Sequence, residues 1–298
     1  MASSRRSCLS IPGSSERMLV KAQDLPADEL VIDLEDSVVP EGKEDARASV
    51  TAAIRDGSWG RRSVAVRVNS LVTEWGRRDV EDVVGGAGEA LGGLVVPKVE
   101  SPAELEELDA LLDETEERAG SEPVGLQALI ETAAGLVRIA EIARASARLE
   151  ALIIGFADLA ASLGRPTAAD YPGDRWHWVR ETVLVAARSA GLQAIDGPHL
   201  EVGDLDGLAV EAGRASALGL DGKWALHPSQ IDPINAAFSP AQAEVDRAGA
   251  ILGALAAGEG RGAVSLDGEM LDEASRKLAD QVLARGRAAG LEPVPPDA

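Results

Sequence analysis

Eight short runs of apolar, largely β-branched residues recur along this chain, each followed by a stretch with helical spacing, and this alternation restricts the fold more than any other feature. The runs are SCLSI (7–11), ELVIDLE (29–35), SVAVRVN (63–69), GLVVPKV (93–99), VGLQALI (124–130), ALIIGF (151–156), QAID (193–196) and KWALH (223–227). Between them lie stretches such as SSERMLVKAQDL, ETAAGLVRIAEIARAS and RWHWVRETVLVAARSAG. Strand and helix candidates in strict alternation predict parallel βα units. Eight such units close into a (β/α)8 TIM barrel, an α/β fold. A chain of 298 residues with 45% hydrophobic content can bury the core this needs, and single α/β barrels reach this length. From residue 239 onward no further strong strand is evident, but at least two helical stretches are. The expected organisation is a barrel over 1–238 and a helical C-terminal extension over 239–298.

Polar groups then fall in a pattern. Almost every strand candidate ends in one: Asp33, Glu35 and Asp36; Arg67 and Asn69; Lys98 and Glu100; Glu131; Asp158; Asp196; His227. Each has a plain alternative, as a helix cap or a solvated loop residue. Asp158 before LAASLG reads as an N-cap, and His227 before a proline as a loop-packing residue. Lys98 and Glu100 could instead pair with nearby acids. Seven occurrences at the same end of seven strands point to a charged barrel mouth, where the βα loops gather. Carboxylates embedded in an aliphatic run such as LVIDLEDSVV are costly to bury without a partner.

The residue types narrow the chemistry. There is no HxxEH, no CxxC and no grouped histidine, which disfavours zinc. Carboxylates from separate strands suit a hard dication, Mg²⁺ or Mn²⁺. No GxxxxGK[ST] loop is present, and GGAGEALGG reads as a helix end and turn. Cys8 is the sole cysteine, so no intramolecular disulfide can form, and it reads as core filler. A net charge of −21 argues against nucleic acid and anionic membranes as partners, while leaving room for an anionic small molecule held by local arginines. The acidic stretch SPAELEELDALLDETEER reads as a solvated helix face. No apolar run reaches membrane-span length, and MASSRRSC lacks a following apolar segment; the expected compartment is the cytoplasm.

Nine segments occur in one order: RSCLSIPGSSERMLVKA, VIDLEDSVVPEGKEDAR, VAVRVNS, LVVPKVES, LQALIETAAGL, IIGFADLAASLG, AIDGP, KWALHPSQI and GEMLD. Together, from Arg6 to about Asp272, they resemble the citrate lyase β-subunit-like and malyl-CoA lyase family of the HpcH/HpaI aldolase superfamily. These are Mg²⁺-dependent aldolases on the same barrel as pyruvate kinase and phosphoenolpyruvate mutase. The resemblance implies that Glu131 and Asp158 ligate the metal and that Glu35 and Asp36 hold the waters around it. It also implies that Arg67 grips the 2-oxoacid carboxylate and that Asp272 is the acid/base, entering from a neighbouring subunit of a homotrimer or homohexamer. Lys98 is placed in the mouth as a substrate contact.

The implied reaction is cleavage of a 3-hydroxyacyl-CoA thioester of malyl-, citramalyl- or citryl-CoA type to an acyl-CoA and a 2-oxoacid. The dication serves as Lewis acid and Asp272 as proton donor at the acyl α-carbon, without nucleophile or organic cofactor. The alternatives are a thioesterase or net condensing relative, and a non-catalytic CoA- or carrier-binding subunit; the intact set Arg67, Glu131, Asp158 and Asp272 disfavours the latter. Three departures stand out: LSIPG lacks the family's frequent aromatic, MLDEAS its usual proline, and GFAD the acid before the aspartate. They bear on substrate preference more than on metal binding.

Overall fold

The computed structural model describes residues 4–60, 62–166, 174–258 and 263–294. Eight parallel strands form a closed barrel in sequential order: β1 (Ser7–Pro12), β2 (Glu29–Asp33), β3 (Ser63–Arg67), β4 (Gly93–Val96), β5 (Gly125–Ile130), β6 (Leu149–Ile154), β7 (Gln193–Asp196) and β8 (Gly222–Ala225), which returns to β1. The intervening helices are α1 (Glu16–Ala22), α2 (Lys43–Asp56), α3 (Gly76–Gly86), α4 (Pro102–Ala119), α5 (Ala133–Val137), α6 (Ile139–Ile142), α7 (Phe156–Ser162), α8 (His177–Ser189), α9 (Leu205–Leu218) and α10 (Ile231–Phe238). The expected barrel is therefore present, with every anticipated strand in place and most ends trimmed. β2 stops at Asp33, so Glu35 and Asp36 lie in the following loop, and β4 stops at Val96, before a proline that cannot donate to the ladder.

Side chains alternate across each strand, and one parity faces the axis. The interior layer is Cys8, Val31, Ala65, Val95, Leu129, Ala151, Ile153, Ile195 and Trp224, all buried. Two residues earlier on β2 and β5, the same face carries Glu29 and Gln127. These form a polar floor with Arg5, whose Nε donates to Glu29 Oε1 at 2.9 Å and whose Nη1 donates to Gln193 at 2.5 Å. Two residues later it carries Asp33 on β2, Arg67 on β3 and Glu131 just beyond β5. Cys8 is fully buried in this layer, in keeping with a packing role.

Contacts divide the chain into two compact units, Met1–Asn235 and Ala236–Ala298. The second contains α11 (Gln242–Ala257), a hairpin of β9 (Val264–Leu266) and β10 (Glu269–Leu271), and α12 (Glu273–Ala288). Its own small core comprises Val245, Ala248, Ala279 and Leu283. The hairpin was not expected: its strands are three residues each, built around a tight turn at Asp267 and Gly268, both at positive φ. Runs this short carry no readable period. Among the described residues no helix is long and apolar enough to cross a membrane.

Candidate active site

At the C-terminal ends of β2 to β6, charged side chains converge. Arg67 lays its Nε and Nη2 edge on Asp33, with Nε–Oδ1 and Nη2–Oδ2 both at 2.7 Å. Its Nη1 lies 3.1 Å from Glu35 Oε2, an oxygen that accepts no hydrogen bond. Asp33 takes the side edge of the guanidinium and Glu35 stands beside Nη1, so a ligand would meet the terminal Nη1/Nη2 edge next to that carboxylate. Burial works against ionising Asp33, but the hydrogen bonds and charge of Arg67 outweigh it and hold that carboxyl below the usual range.

Lys98 bridges the next two acids. Its Nζ reaches Glu35 Oε1 at 2.5 Å and stands 3.6 Å from Asp36. Its backbone sits at φ +52°, and in that left-handed turn its N–H donates to Glu131 Oε1 at 2.8 Å. A non-glycine residue in this region costs of order 1 kcal/mol. Lys43, behind the loop after β2, donates to the carbonyls of Leu34 and Glu35, both at 2.9 Å, and its ammonium lies over the Trp75 ring. That buried lysine holds the turn carrying Glu35 and Asp36.

Glu131 is 2% exposed. Burial, then the charges of Glu35 and Asp158, push its carboxyl up to about 7, against the opposing Lys98 N–H and Arg67. Glu35 is raised too, chiefly by burial. Gly155, between β6 and α7, lets Glu131 lie flat against the chain: a Cβ there would fall 2.3 Å from Glu131 Oε2. Asp158 is the third residue of α7, so the expected N-cap is corrected; Gly155 occupies that position. Half-buried, the Asp158 carboxylate makes no hydrogen bond or ion pair among the described residues.

Asp33, Glu35, Asp36, Glu131 and Asp158 face Arg67 and Lys98, an excess of carboxylate that a hard dication would balance. Among the described residues no three His, Cys, Asp or Glu groups form a ready-made metal cage. The donor chemistry here, oxygens of a few carboxylates, suits Mg²⁺, which takes one or two carboxylates and completes its shell with water and substrate oxygens. The glycine cradle under Glu131 and the unpaired Asp158 are consistent with such an ion.

Other candidates lie elsewhere. Asp196 has the parity opposite to Ile195 and faces outward, bonded to Arg180 at 2.8 Å and to the fully buried Lys223 at 2.7 Å; its expected place in the mouth is corrected. Strand periodicity gives the alternation but not its phase. Asn69 braces the same turn as Lys43, donating to Leu34 O and Asp79. Glu100 is exposed on the rim. His227 caps a 3₁₀ turn by accepting from Ser229 N. His199 lies 3.1 Å from Glu211. In the second unit Asp272 is the N-cap of α12, accepting from Ala274 N and Ser275 N, and the Ser275 N–H leads the effects that hold its carboxyl below the usual range.

Two clefts lie on the barrel. One of about 490 Å³ runs by β1 and β8 and is lined by Ile11, Pro12, Arg17, Met18, Lys21 and His227, among others. The other, of about 700 Å³, opens beside Glu35 and Lys98 and runs past Val39, Val72 and Trp75. Nothing in the sequence pattern marked Gly155, Lys43 or either cleft.

The family model described as HpcH/HpaI aldolase/citrate lyase matches residues 6–228. The chain is 36% identical over 290 residues to an L-malyl-CoA/β-methylmalyl-CoA lyase of Cereibacter sphaeroides, covering 91% of each. It is 37% identical over 287 residues to a (3S)-malyl-CoA thioesterase of the same organism, covering 95% of each. The crystal structure of Mycobacterium tuberculosis CitE with magnesium, acetoacetate and coenzyme A aligns with a TM-score of 0.75 at 32% identity, over 96% of this chain and 99% of that one.

Proposed function

The chain belongs to the HpcH/HpaI aldolase/citrate lyase family, and we propose that it is a Mg²⁺- or Mn²⁺-dependent carbon–carbon lyase. It cleaves a 3-hydroxyacyl-CoA thioester of malyl-, citramalyl- or citryl-CoA type to an acyl-CoA and a 2-oxoacid. The observation that carries this reading is the crowding of Glu131, Glu35 and Asp158 beside Arg67, which drives the Glu131 carboxyl to about 7. The relative named a malyl-CoA lyase and the CitE structure with magnesium and coenzyme A support it.

Glu131 and Asp158 would hold the dication, with Glu35 and Asp36 orienting its waters. When bound, the ion supplies Lewis acidity at the substrate's hydroxyl and carboxylate oxygens. Arg67 holds the carboxylate of the 2-oxoacid fragment through its terminal edge, while Asp33 fixes the plane of the guanidinium. Lys98 keeps Glu131 in position through its N–H and contacts substrate with its ammonium. As the C–C bond breaks, the substrate hydroxyl gives up its proton to solvent and Asp272 delivers one to the acyl α-carbon, with both transfers reversed in condensation. Asp272 does so in a neighbouring subunit of a homotrimer or homohexamer. The cleft with Arg17 and Lys21 one helical turn apart, flanked by Ile11, Pro12 and Met18, suits the apolar arm and phosphates of CoA. We assign the enzyme to the cytoplasm.

A second reading, hydrolysis of the same thioester, is favoured by the 37% identity to the malyl-CoA thioesterase. Incubation with Mg²⁺ and a panel of hydroxyacyl-CoAs separates the two: lyase action releases a 2-oxoacid with the acyl thioester intact, and hydrolysis releases free thiol without oxoacid. EDTA should abolish turnover and added Mg²⁺ restore it. Full activity in chelator would overturn the metal assignment, and the absence of both products would overturn the enzyme reading.

A further inference from the structure

Resting on the lyase reading, we propose that the cleft beside Glu35 and Lys98 is a specificity subsite. It takes the substituent on the carbonyl carbon of the 2-oxoacid and selects neutral aliphatic groups over a second carboxylate. Four observations carry it. First, the cleft is continuous with the proposed chemistry: its inner end is Glu35 and Lys98, the residues that touch Arg67 and Glu131. A 2-oxoacid gripped by Arg67 with its carbonyl at Glu131 has one remaining substituent, and this is an open space next to both.

Second, the walls are apolar: Val38, Val39, Pro40, Val72 and Trp75 line the cleft. Val72 is 89% exposed and Val39 67%, unusual for large aliphatics beside an active site unless something covers them. Third, at about 700 Å³ the space far exceeds a methyl group. Fourth, the charges on its lining disfavour a second anion. Asp36, Glu100 and Glu104 line it and outnumber its cations: Lys43 is held by two carbonyls, and Lys98 already shares its ammonium with Glu35 and Asp36 where it faces the substrate. A carboxylate placed there would meet more like charge than the lining lysines offset.

The test is condensation of acetyl-CoA with glyoxylate, pyruvate, 2-oxobutyrate, 2-oxopentanoate and oxaloacetate, in the wild type, Val72→Trp and Val39→Trp. Val185→Trp, equally exposed on α8 and outside the cleft, is the control. Because these valines are exposed, the variants should fold, as unfolding temperatures will check. In the wild type, kcat/KM should hold within about fivefold from pyruvate to 2-oxopentanoate, whereas a closed methyl pocket would lose roughly 10- to 200-fold per added methylene. Oxaloacetate should be the poorest acceptor and should improve in Glu100→Gln. Either groove-filling variant should depress 2-oxobutyrate and 2-oxopentanoate at least tenfold while leaving glyoxylate unchanged, and Val185→Trp should change nothing. Unaltered selectivity in both filled variants would overturn the subsite and leave the lyase reading standing. Failure to condense any of the five acids would overturn the lyase reading, and the subsite with it.

Discussion

Replacing Gly155 by alanine should cripple the site through one methyl group. The backbone there has φ −99°, outside the left-handed region that favours glycine, so the substitution does not meet the strain of a positive φ. At such positions Gly→Ala ordinarily stabilises a protein by ~0.4–1 kcal/mol, through the unfolded state. Here the new Cβ would fall 2.3 Å from Glu131 Oε2 and 2.5 Å from Glu131 Cβ. Restoring an ordinary separation of about 3.5 Å requires a displacement of roughly 1 Å. Overpacking of that kind costs about 1–3 kcal/mol, outweighing the entropic gain. A 1 Å error in a positioned group costs on the order of 10²-fold in rate. We therefore expect a lowered unfolding temperature, Mn²⁺ binding weakened at least tenfold by calorimetry, and kcat/KM down about 10²-fold. Gly85→Ala, in α3, is the control: its new methyl would meet nothing within 4 Å, and the variant should be slightly stabilised. Wild-type Mn²⁺ affinity and turnover in Gly155→Ala would refute the claim that this glycine cradles a working Glu131.

The metal-free protein should lose stability as pH rises from about 4.5 to about 7: the folded state holds the Glu131 proton that the unfolded chain has released. Glu131 contributes at most roughly 3 kcal/mol of this loss, and Glu131→Gln should remove that share while leaving the part due to Glu35, whose carboxyl is raised as well; a chemical-denaturation series that stays flat over this window would contradict it. Arg67→Lys should keep Mn²⁺ affinity but lower kcat/KM by at least about 10²-fold, since an ammonium cannot span Asp33 and a ligand carboxylate together; unchanged kinetics would make Arg67 a structural ion pair only. Asp272→Asn should fold normally, because asparagine caps helices as well as aspartate, yet lose turnover. Mixed and reassembled with Arg67→Lys it should regain part of the activity if sites are shared between subunits, and mixed oligomers that stay inactive would exclude that. Lysine is the better partner here, because Arg67→Ala would leave the buried Asp33 unpaired.

The order of apolar runs and turns was enough to read an eight-stranded parallel barrel, because period-two and period-3.6 patterning are local properties that each segment carries alone. It also brought Arg67, Glu131 and the Glu35–Asp36 pair to one mouth, since in parallel βα units every strand end points the same way. What each of those groups does there was decided by tertiary structure. Asp33 and Arg67 neutralise each other only because β2 and β3 pair in a register that sets them side by side. Asp196 faces out because of strand phase, which no single run reveals. Glu131 is pushed to about 7 by burial and by two carboxylates from other strands and loops, and Lys98 meets it only through a left-handed backbone turn. Sequence assigns residues to elements, whereas charge balance, volume and hydrogen bonding arise between elements far apart in the chain. The acid content of the mouth was therefore legible in advance, and its pairing was not.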